Sequence, residues 1–516
     1  MRRQDITPPG LPRPRSRATL LTWISGWLIA MTAAPTGAQA SPADRGWTLL
    51  HGVIHAHTPY SHDACDDDGL LPDGSPNPEC LAELRAGACA SRHHFIFFTD
   101  HPSYMRDYPM EALVLYDPDQ GDRLLYSAQG ILANEITCSD GTSTWKVWIT
   151  NGAEGDHNMP IGLEAHLADP AFYSVGFEDS DDLAQGQEAV AQVHDAGGVA
   201  LLAHAEADEV SADRMVALGI DGVELYNAHA NFEWMLVHHP LQILHLETWM
   251  GTGPGSPRDY DLVALMMIPY ASDAPVTKWN DALATAHMAG VIGTDVHQNV
   301  TLDPYCEPSS PLAALCQRLK PLLPNMVSYL ETGGPLMLGD GERLDSYRRM
   351  FRWFSNHLLA AAPGVAEAKE AVAAGRLYAA FDILGLPAGF DLVAQNDVTG
   401  EVYEMGDDAP FSPDLKLRVT LPVVSMDDPY ATWTSDQAAQ AAVRAEVLWI
   451  DERGARVIAS GGEAGGTLVV QVPGPGAFRV EIFIQPRHLE PVLGKARLLG
   501  RQEYRWIWSN PVYVSR

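Results

Sequence analysis

Positive charge is scarce in this chain. Over 516 residues, 34 Lys and Arg stand against 66 Asp and Glu, giving a formal net charge of −32. An exterior this acidic repels nucleic acid and anionic lipid surfaces, so neither is an expected partner. An anionic substrate would need the field reversed locally, which bound divalent cations do. Cysteine is also sparse. The six are Cys65, Cys80, Cys89, Cys138, Cys306 and Cys316, and no C-x-x-C spacing supports a thiolate metal site. The apolar run over residues 18–33 is short for a bilayer span and ends in small residues. Internal repeats and low-complexity linkers are absent. Gly251-Thr252-Gly253-Pro254-Gly255 carries a proline and lacks strand-to-helix context, which excludes a dinucleotide loop. Asp66-Asp67-Asp68 lacks the later acidic position of an EF-hand and reads as a solvated acidic turn. With 46% apolar and 19% charged residues the chain is globular, and its length fits two or three domains.

The first forty residues have the pattern of an export signal. Arg2, Arg3, Arg13, Arg15 and Arg17 precede the apolar run, and Ala38-Gln39-Ala40 is a small-residue cleavage site. Arg2-Arg3 lies too far from the run for a twin-arginine signal. Cleavage removes five Arg and one Asp, taking the charge from −32 to −36. The mature chain is therefore expected in a periplasmic or extracellular setting, without stable membrane insertion. An even number of cysteines there suggests disulfides. Cys306 and Cys316 flank a short proline-containing loop and are the one pair expected from spacing. Nothing specifies an oligomeric state.

Residues 41–387 alternate short apolar runs with amphipathic stretches. The runs are 49–55, 95–99, 130–136, 147–149, 199–203, 222–226 and 291–293, short enough for buried parallel strands. The segment 182–196 reads as a helix stopped by Gly197-Gly198. Repeated β-then-α order predicts an α/β barrel or doubly wound sheet. Residues 388–516 instead read as strands separated by turn clusters such as Asp451-Glu452-Arg453-Gly454, predicting a β-sandwich with Trp506 and Trp508 in its core. The link near Leu386-Pro387 is too short for free swinging, which suggests a packed accessory domain.

The chemistry gathers at strand ends. His55-Ala56-His57 closes one run, and residues i and i+2 of a strand face the same way. Thr99 leads into Asp100-His101, Asn134 into Glu135, Ala203 into His204, and Thr294 into Asp295-Val296-His297. Metal-capable side chains at the carboxyl ends of several strands point to one shared site. Imidazole mixed with carboxylate suits Zn, Mn or Fe and does not suit a hard Ca site.

These residues, with Thr58, Ser61-His62 and His157, resemble the PHP (polymerase and histidinol phosphatase) family over residues 47–387. The resemblance implies a distorted (β/α)7 barrel with two or three metals, here followed by the β-sandwich, and hydrolysis of phosphomonoesters or phosphodiesters. It implies that His55, His57, Glu135 and Asp295 hold a first metal, that Glu135 bridges to a second held by His157 and His204, and that His62, His101 and His297 hold a third. Where many members have Asp after the serine this chain has His62, with Asp63 next, and either can be the ligand. Two divalent ions about 3.5–4 Å apart would bind phosphoryl oxygens and lower the pKa of a water toward ~7, making it the nucleophile. His62 or His101 could protonate the leaving group where a third metal is absent. Asp100, Glu224 and Asn227 are expected to hold ligands in place.

The expected substrate is thus a small phosphorylated molecule. Two other readings use the same residues: a metal hydrolase of amides or lactones, and a non-catalytic exported binding module with an aromatic platform on the sandwich. A phosphoesterase should place Arg or Lys near the metals, with Arg92, Arg106 and Lys278 as candidates. His229, His238, His239 and His245 lie in a segment, 227–261, that reads as a solvated insertion near the site.

Overall fold

Buried β-branched runs set the centre of the molecule. The computed structural model describes residues 40–516 except 103 and 104, so the expected export signal lies outside the described residues save Ala40. In chain order the strands are β1 (Thr48–Ala56), β2 (Phe95–Phe97), β3 (Arg123–Tyr126), β4 (Ile131–Ser139), β5 (Thr144–Thr150), β6 (Asn158–Ile161), β7 (Val199–Leu202), β8 (Gly222–Asn227) and β9 (Ala289–Val296). A short pair follows, β10 (Thr301–Leu302) and β11 (Gly334–Pro335), then β12 (Ser355–Ala360) and β13 (Leu377–Ala380).

The fold is mixed α/β around one large sheet. β1 runs parallel to β2 and β9, β2 to β5, β7 to β8, and β8 to β9. Antiparallel pairing joins β3 to β4, β4 to β5, β6 to β7, and β1 to β12 to β13. All eight residues of β9 and all six of β8 are buried, as strands covered on both faces require. A core cluster draws Ile54, Phe97, Met159, Leu201 and Val291 from five different strands, with Val365, Ala368 and Val372 of the helix Val365–Ala373 packed among them. The expected helix at 182–196 is present as Leu183–Asp195, capped by Asp182.

Most of the C-terminal strands fall in two sheets, and Pro387–Ala388 pairs with Val423–Val424 in a third. Tyr504–Ser509 pairs with β13, so the large sheet continues through Gly476–Gln485 and Ala442–Asp451. Asp391–Asn396, Leu415–Thr420 and Thr467–Gln471 lie in a separate antiparallel sheet. Trp506 and Trp508 are buried. Three disulfides join Cys65 to Cys80, Cys89 to Cys138, and Cys306 to Cys316. Among the described residues no helix is long and apolar enough to cross a membrane.

β9 meets β1 only from Gly293 onward. Below that point two asparagine side chains take the place of a neighbouring strand. Asn356 accepts from Ile292 N at 3.0 Å and donates to Ile292 O at 2.8 Å. Asn510 does the same for Gly290, at 2.8 and 2.9 Å. Removing one amide strands a buried N–H and a buried C=O. Asn510→Ala should therefore lower unfolding free energy by roughly 2–4 kcal/mol in chemical denaturation. An unchanged midpoint would show that Gly290 finds other partners.

Candidate metal centre

The strand ends converge, and the backbone there takes a rare form. His55, His157, His204 and Asp295 have φ of +64°, +61°, +52° and +52°. Left-handed residues other than glycine are uncommon and cost about 1–3 kcal/mol where they are strained. At His55 the left-handed residue coincides with a register shift between Ile54 and Ala56. The simple i, i+2 alternation is thus modified, and both histidines still reach the same carboxylates.

His55 Nε2 lies 3.0 Å from Glu154 Oε2 and 3.3 Å from Asp295 Oδ1. His57 Nε2 lies 3.2 and 3.1 Å from the same two oxygens. These four side chains are buried and present one ligand atom each within 4.8 Å of one another. Yet His57 Nε2, Asp295 Oδ1 and His297 Nε2 make no hydrogen bond; the close pairs lack the alignment of donor and acceptor. Buried polar atoms are nearly always satisfied. Inward-facing nitrogen and carboxylate oxygen without partners are what a divalent cation requires, so the residues fit a metal.

Two further groups adjoin this one. Glu154 turns its other oxygen, Oε1, to His204 Nε2 at 2.6 Å, which makes Glu154 the carboxylate shared between positions. Asp63 Oδ2 stands 3.3 Å from His297 Nε2 and 3.5 Å from His101 Nε2, and His57, His101 and His297 also group within 4.8 Å. The clusters are compatible with more than one ion.

The ligands are held from behind. Glu224 accepts from His55 Nδ1 at 2.7 Å and from the His204 backbone N–H at 3.1 Å. Asn227 donates to Asp295 Oδ2 at 3.0 Å and to Glu224. Asp100 accepts from the Thr58 N–H and hydroxyl, both at 2.6 Å, while its backbone carbonyl accepts from Glu154 N–H. Such partners fix ring orientation and tautomer. Gly293 makes room for them, because a Cβ there would overlap Glu224 Oε1 and His55.

Electrostatics follow the geometry. Burial disfavours charge on His55, but Glu224, Glu154 and Asp295 outweigh it and hold its pKa well above the usual imidazole range. His57 and His204 are raised in the same way, against burial, by Asp295 and Glu154. Burial would raise Glu154 and Asp295, yet the neighbouring imidazoles hold both well below the carboxylate range. His297 differs: burial, reinforced by His57, pushes it down to about 3.

Three sequence expectations need correction. Glu135 is not in the cluster. β4 continues to Ser139 as the middle of an antiparallel meander, so Glu135 sits mid-strand and pairs with Arg123 at 3.0 Å and Lys146 at 3.2 Å. Glu154 takes its place, four residues past the end of β5 and beyond Gly152, where no apolar run leads directly into it. His62 is exposed with its ring 5.0 Å from that of His101, and Asp63 is the residue that faces the ligands. His157 directs Nδ1 to Ala203 O and groups with Asp156 and Glu178 instead.

Other candidates are placed as follows. Asp66 is not merely solvated; it pairs with Arg343. Arg92 lies over Trp145 and pairs with Asp140, Arg106 is exposed, and Lys278 donates to Ala207 O. None joins the ligand cluster. His229 does come near, its ring 5.6 Å from that of His297, while His238 stacks on Trp234 and His239 meets Tyr270. Glu206, 3.0 Å from His204 Nδ1, carried no signal in the sequence beyond being acidic.

No protein-family model matches this chain, and no curated protein matches it. Among solved structures it is similar to a two-domain protein from Bacteroides vulgatus containing a predicted PHP-like metal-dependent phosphoesterase. The identity is 11%, over 90% of this chain and 96% of that one, with a TM-score of 0.29, too low to carry an argument.

Two outcomes follow from the geometry. Glu154→Gln should lose bound metal by elemental analysis while Glu135→Gln keeps it; equal retention would remove Glu154 from the centre. Because carboxylates hold protons on His55, His57 and His204 in the metal-free protein, metal uptake must expel them. Calorimetry in buffers of different ionisation enthalpy should register proton release, and affinity should fall as pH is lowered from about 8 to about 6. Affinity independent of pH would contradict the ligand set.

Proposed function

We propose that this chain is an exported, metal-dependent hydrolase of phosphate esters with a PHP-like centre. The observation that carries it is the buried set His55, His57, Glu154 and Asp295, in which His57 Nε2 and Asp295 Oδ1 are buried without a hydrogen bond. These four would hold one ion, Glu154 and His204 a second, and Asp63, His101 and His297 a third; Zn, Mn and Fe all suit such ligands. When bound, such ions polarise a phosphoryl oxygen and bring a water toward ionisation at neutral pH. Glu224 and Asn227 keep His55 and Asp295 aimed, and His62 stands exposed beside His101, where an imidazole can hand a proton to a leaving group.

The fold reading supports this. The ends of β5 and β6 meet through a bridge between Asn151 and Leu163, which would carry the sheet round from β1 through β2, β5, β6, β7, β8 and β9 as a distorted seven-stranded barrel. On that reading the C-terminal strands are an accessory β-sandwich. Three disulfides suit an oxidising compartment outside the cytoplasm.

One observation favours a second reading, hydrolysis of an amide or lactone at the same centre. Among the described residues, the carboxylates Glu154, Asp295 and Asp63 form ion pairs with histidines and with no Arg or Lys, so metal would be the main grip on a phosphate. The discriminating experiment measures metal content and turnover of simple phosphomonoesters, phosphodiesters, lactones and amides, with and without added Mn or Zn. Metal-dependent phosphate-ester turnover, reduced about 10–100-fold by Glu224→Gln, supports the first reading. Turnover confined to acyl substrates supports the second. A protein that binds no metal refutes both.

A further inference from the structure

Beside the ligands lies a narrow cleft, open at its mouth, with free space for about one water-sized molecule as it stands. His229, Asp295 and His297 line it, so it adjoins the ligand cluster directly. Its walls are Phe232, Met267, Val300, Leu344, Met350 and Trp353. Phe232 comes from the helix Ala228–His238, which follows β8 directly. That helix belongs to the segment expected to be a solvated insertion, yet Ala228 and Phe232 are buried against the cleft.

Three features make this more than an imperfection of packing. The lining includes Asn299 and Trp353, whose Oδ1 and Nε1 are buried without a hydrogen-bond partner, as is His297 Nε2. An ordinary apolar void would have no such atoms in its walls. The lining holds no Lys or Arg, and its imidazole with raised basicity, His229, already stands 3.7 Å from Glu233, so a second anionic group on a substrate would find no unengaged counter-charge. Its carboxylate, Asp345, accepts from Val300 N and pairs with Arg343, so the wall offers no free cation there either. Finally, two of the six wall residues are methionines, whose flexible thioethers reshape around a ring and contact its edge.

We infer that this cleft receives an aromatic or similarly apolar, uncharged group attached next to the bond that is broken. The inference rests on the metal-hydrolase reading and narrows its substrate class: an aryl ester would be preferred to sugar phosphates, nucleotides or any substrate with a second anion. The unpartnered Asn299 amide oxygen and Trp353 indole N–H leave room for one polar substituent on the ring.

Binding tests this without relying on turnover. Phenylphosphonate is compared with methylphosphonate, and benzoate with acetate, on the metal-loaded full chain by calorimetry and by tryptophan fluorescence. The phenyl member of at least one pair should bind at least about tenfold tighter. Phe232→Ala should erase most of that preference with metal content unchanged, while Phe232→Leu, which keeps an apolar side chain and is safer for folding, should keep part of it. Equal affinities within both pairs overturn the proposal, as does a preference that Phe232→Ala leaves intact. A phenyl preference seen with benzoate but not with the phosphonates, together with no phosphate-ester turnover, upholds the cleft and refutes the phosphoesterase reading, so the two failures are distinct.

Discussion

Two buried carboxylates, Glu154 and Asp295, set the terms for this molecule. Taking an ionised carboxylate out of water costs several kcal/mol unless charge and hydrogen bonds replace the lost hydration. Here the replacement is partial. Asn227 satisfies one Asp295 oxygen, and the other faces imidazole nitrogens without a hydrogen bond. Evolution could have buried leucine in such a place. That His57 Nε2, Asp295 Oδ1 and His297 Nε2 converge there without hydrogen bonds, beside backbone held in left-handed conformations at His55, His204 and Asp295, is intelligible when a cation completes the set. Left-handed backbone at several ligands is a form that functional sites take.

Precision at the strand tips depends on stiffness at their base. β9 carries Asp295 and His297 at one end, and its other end is held by groups from the C-terminal segment. Asn510 spans Gly290, and the Tyr513 hydroxyl accepts from Met288 N–H at 3.0 Å. The pairing of β13 with Tyr504–Ser509 makes the contact continuous. The C-terminal strands thus act on the site through the backbone of β9, as a brace, whatever else they bind.

Much of the site was legible because buried parallel strands advertise themselves. An apolar run ending abruptly in His or Asp has few structural explanations, and His55, His57, His101, His204, Asp295 and His297 all stood at such ends. The errors share a cause. Glu135 also ends an apolar run, but the run belongs to an antiparallel meander, and direction of pairing leaves no trace in a single strand's composition. Glu154 was hidden because Asn151-Gly152-Ala153 separates it from β5, so its position depends on a turn and on Asp100 holding its backbone. Asp63 against His62 was a choice between adjacent residues, which only the local turn around Ser61 decides: the Ser61 hydroxyl reaches His57, Asp63 and the His101 N–H. Two disulfides were out of reach for a similar reason, since pairing across 15 and 49 residues depends on tertiary contact.

The shortage of positive charge acquires a structural meaning at the site. Arginines do lie in the neighbourhood, but each is engaged: Arg343 with Asp66 and Asp345, Arg348 with Glu342, Arg349 with Asp261 and Asp340, Arg352 with Asp259 and Asp261. In so acidic a chain a mobile guanidinium beside the centre would find a carboxylate before it found a substrate. On the proposed reading, positive potential for an anion would come chiefly from ions held by Glu154, Asp295, Asp63 and their histidines. Recognition of the rest of the substrate falls to shape and apolar contact, which is the character of the wall formed by Phe232, Met350 and Trp353. On the proposed reading, the acid-rich composition, the ligand atoms without hydrogen bonds and a cleft without Lys or Arg belong to one arrangement, in which bound metal would supply the charge and the protein the fit.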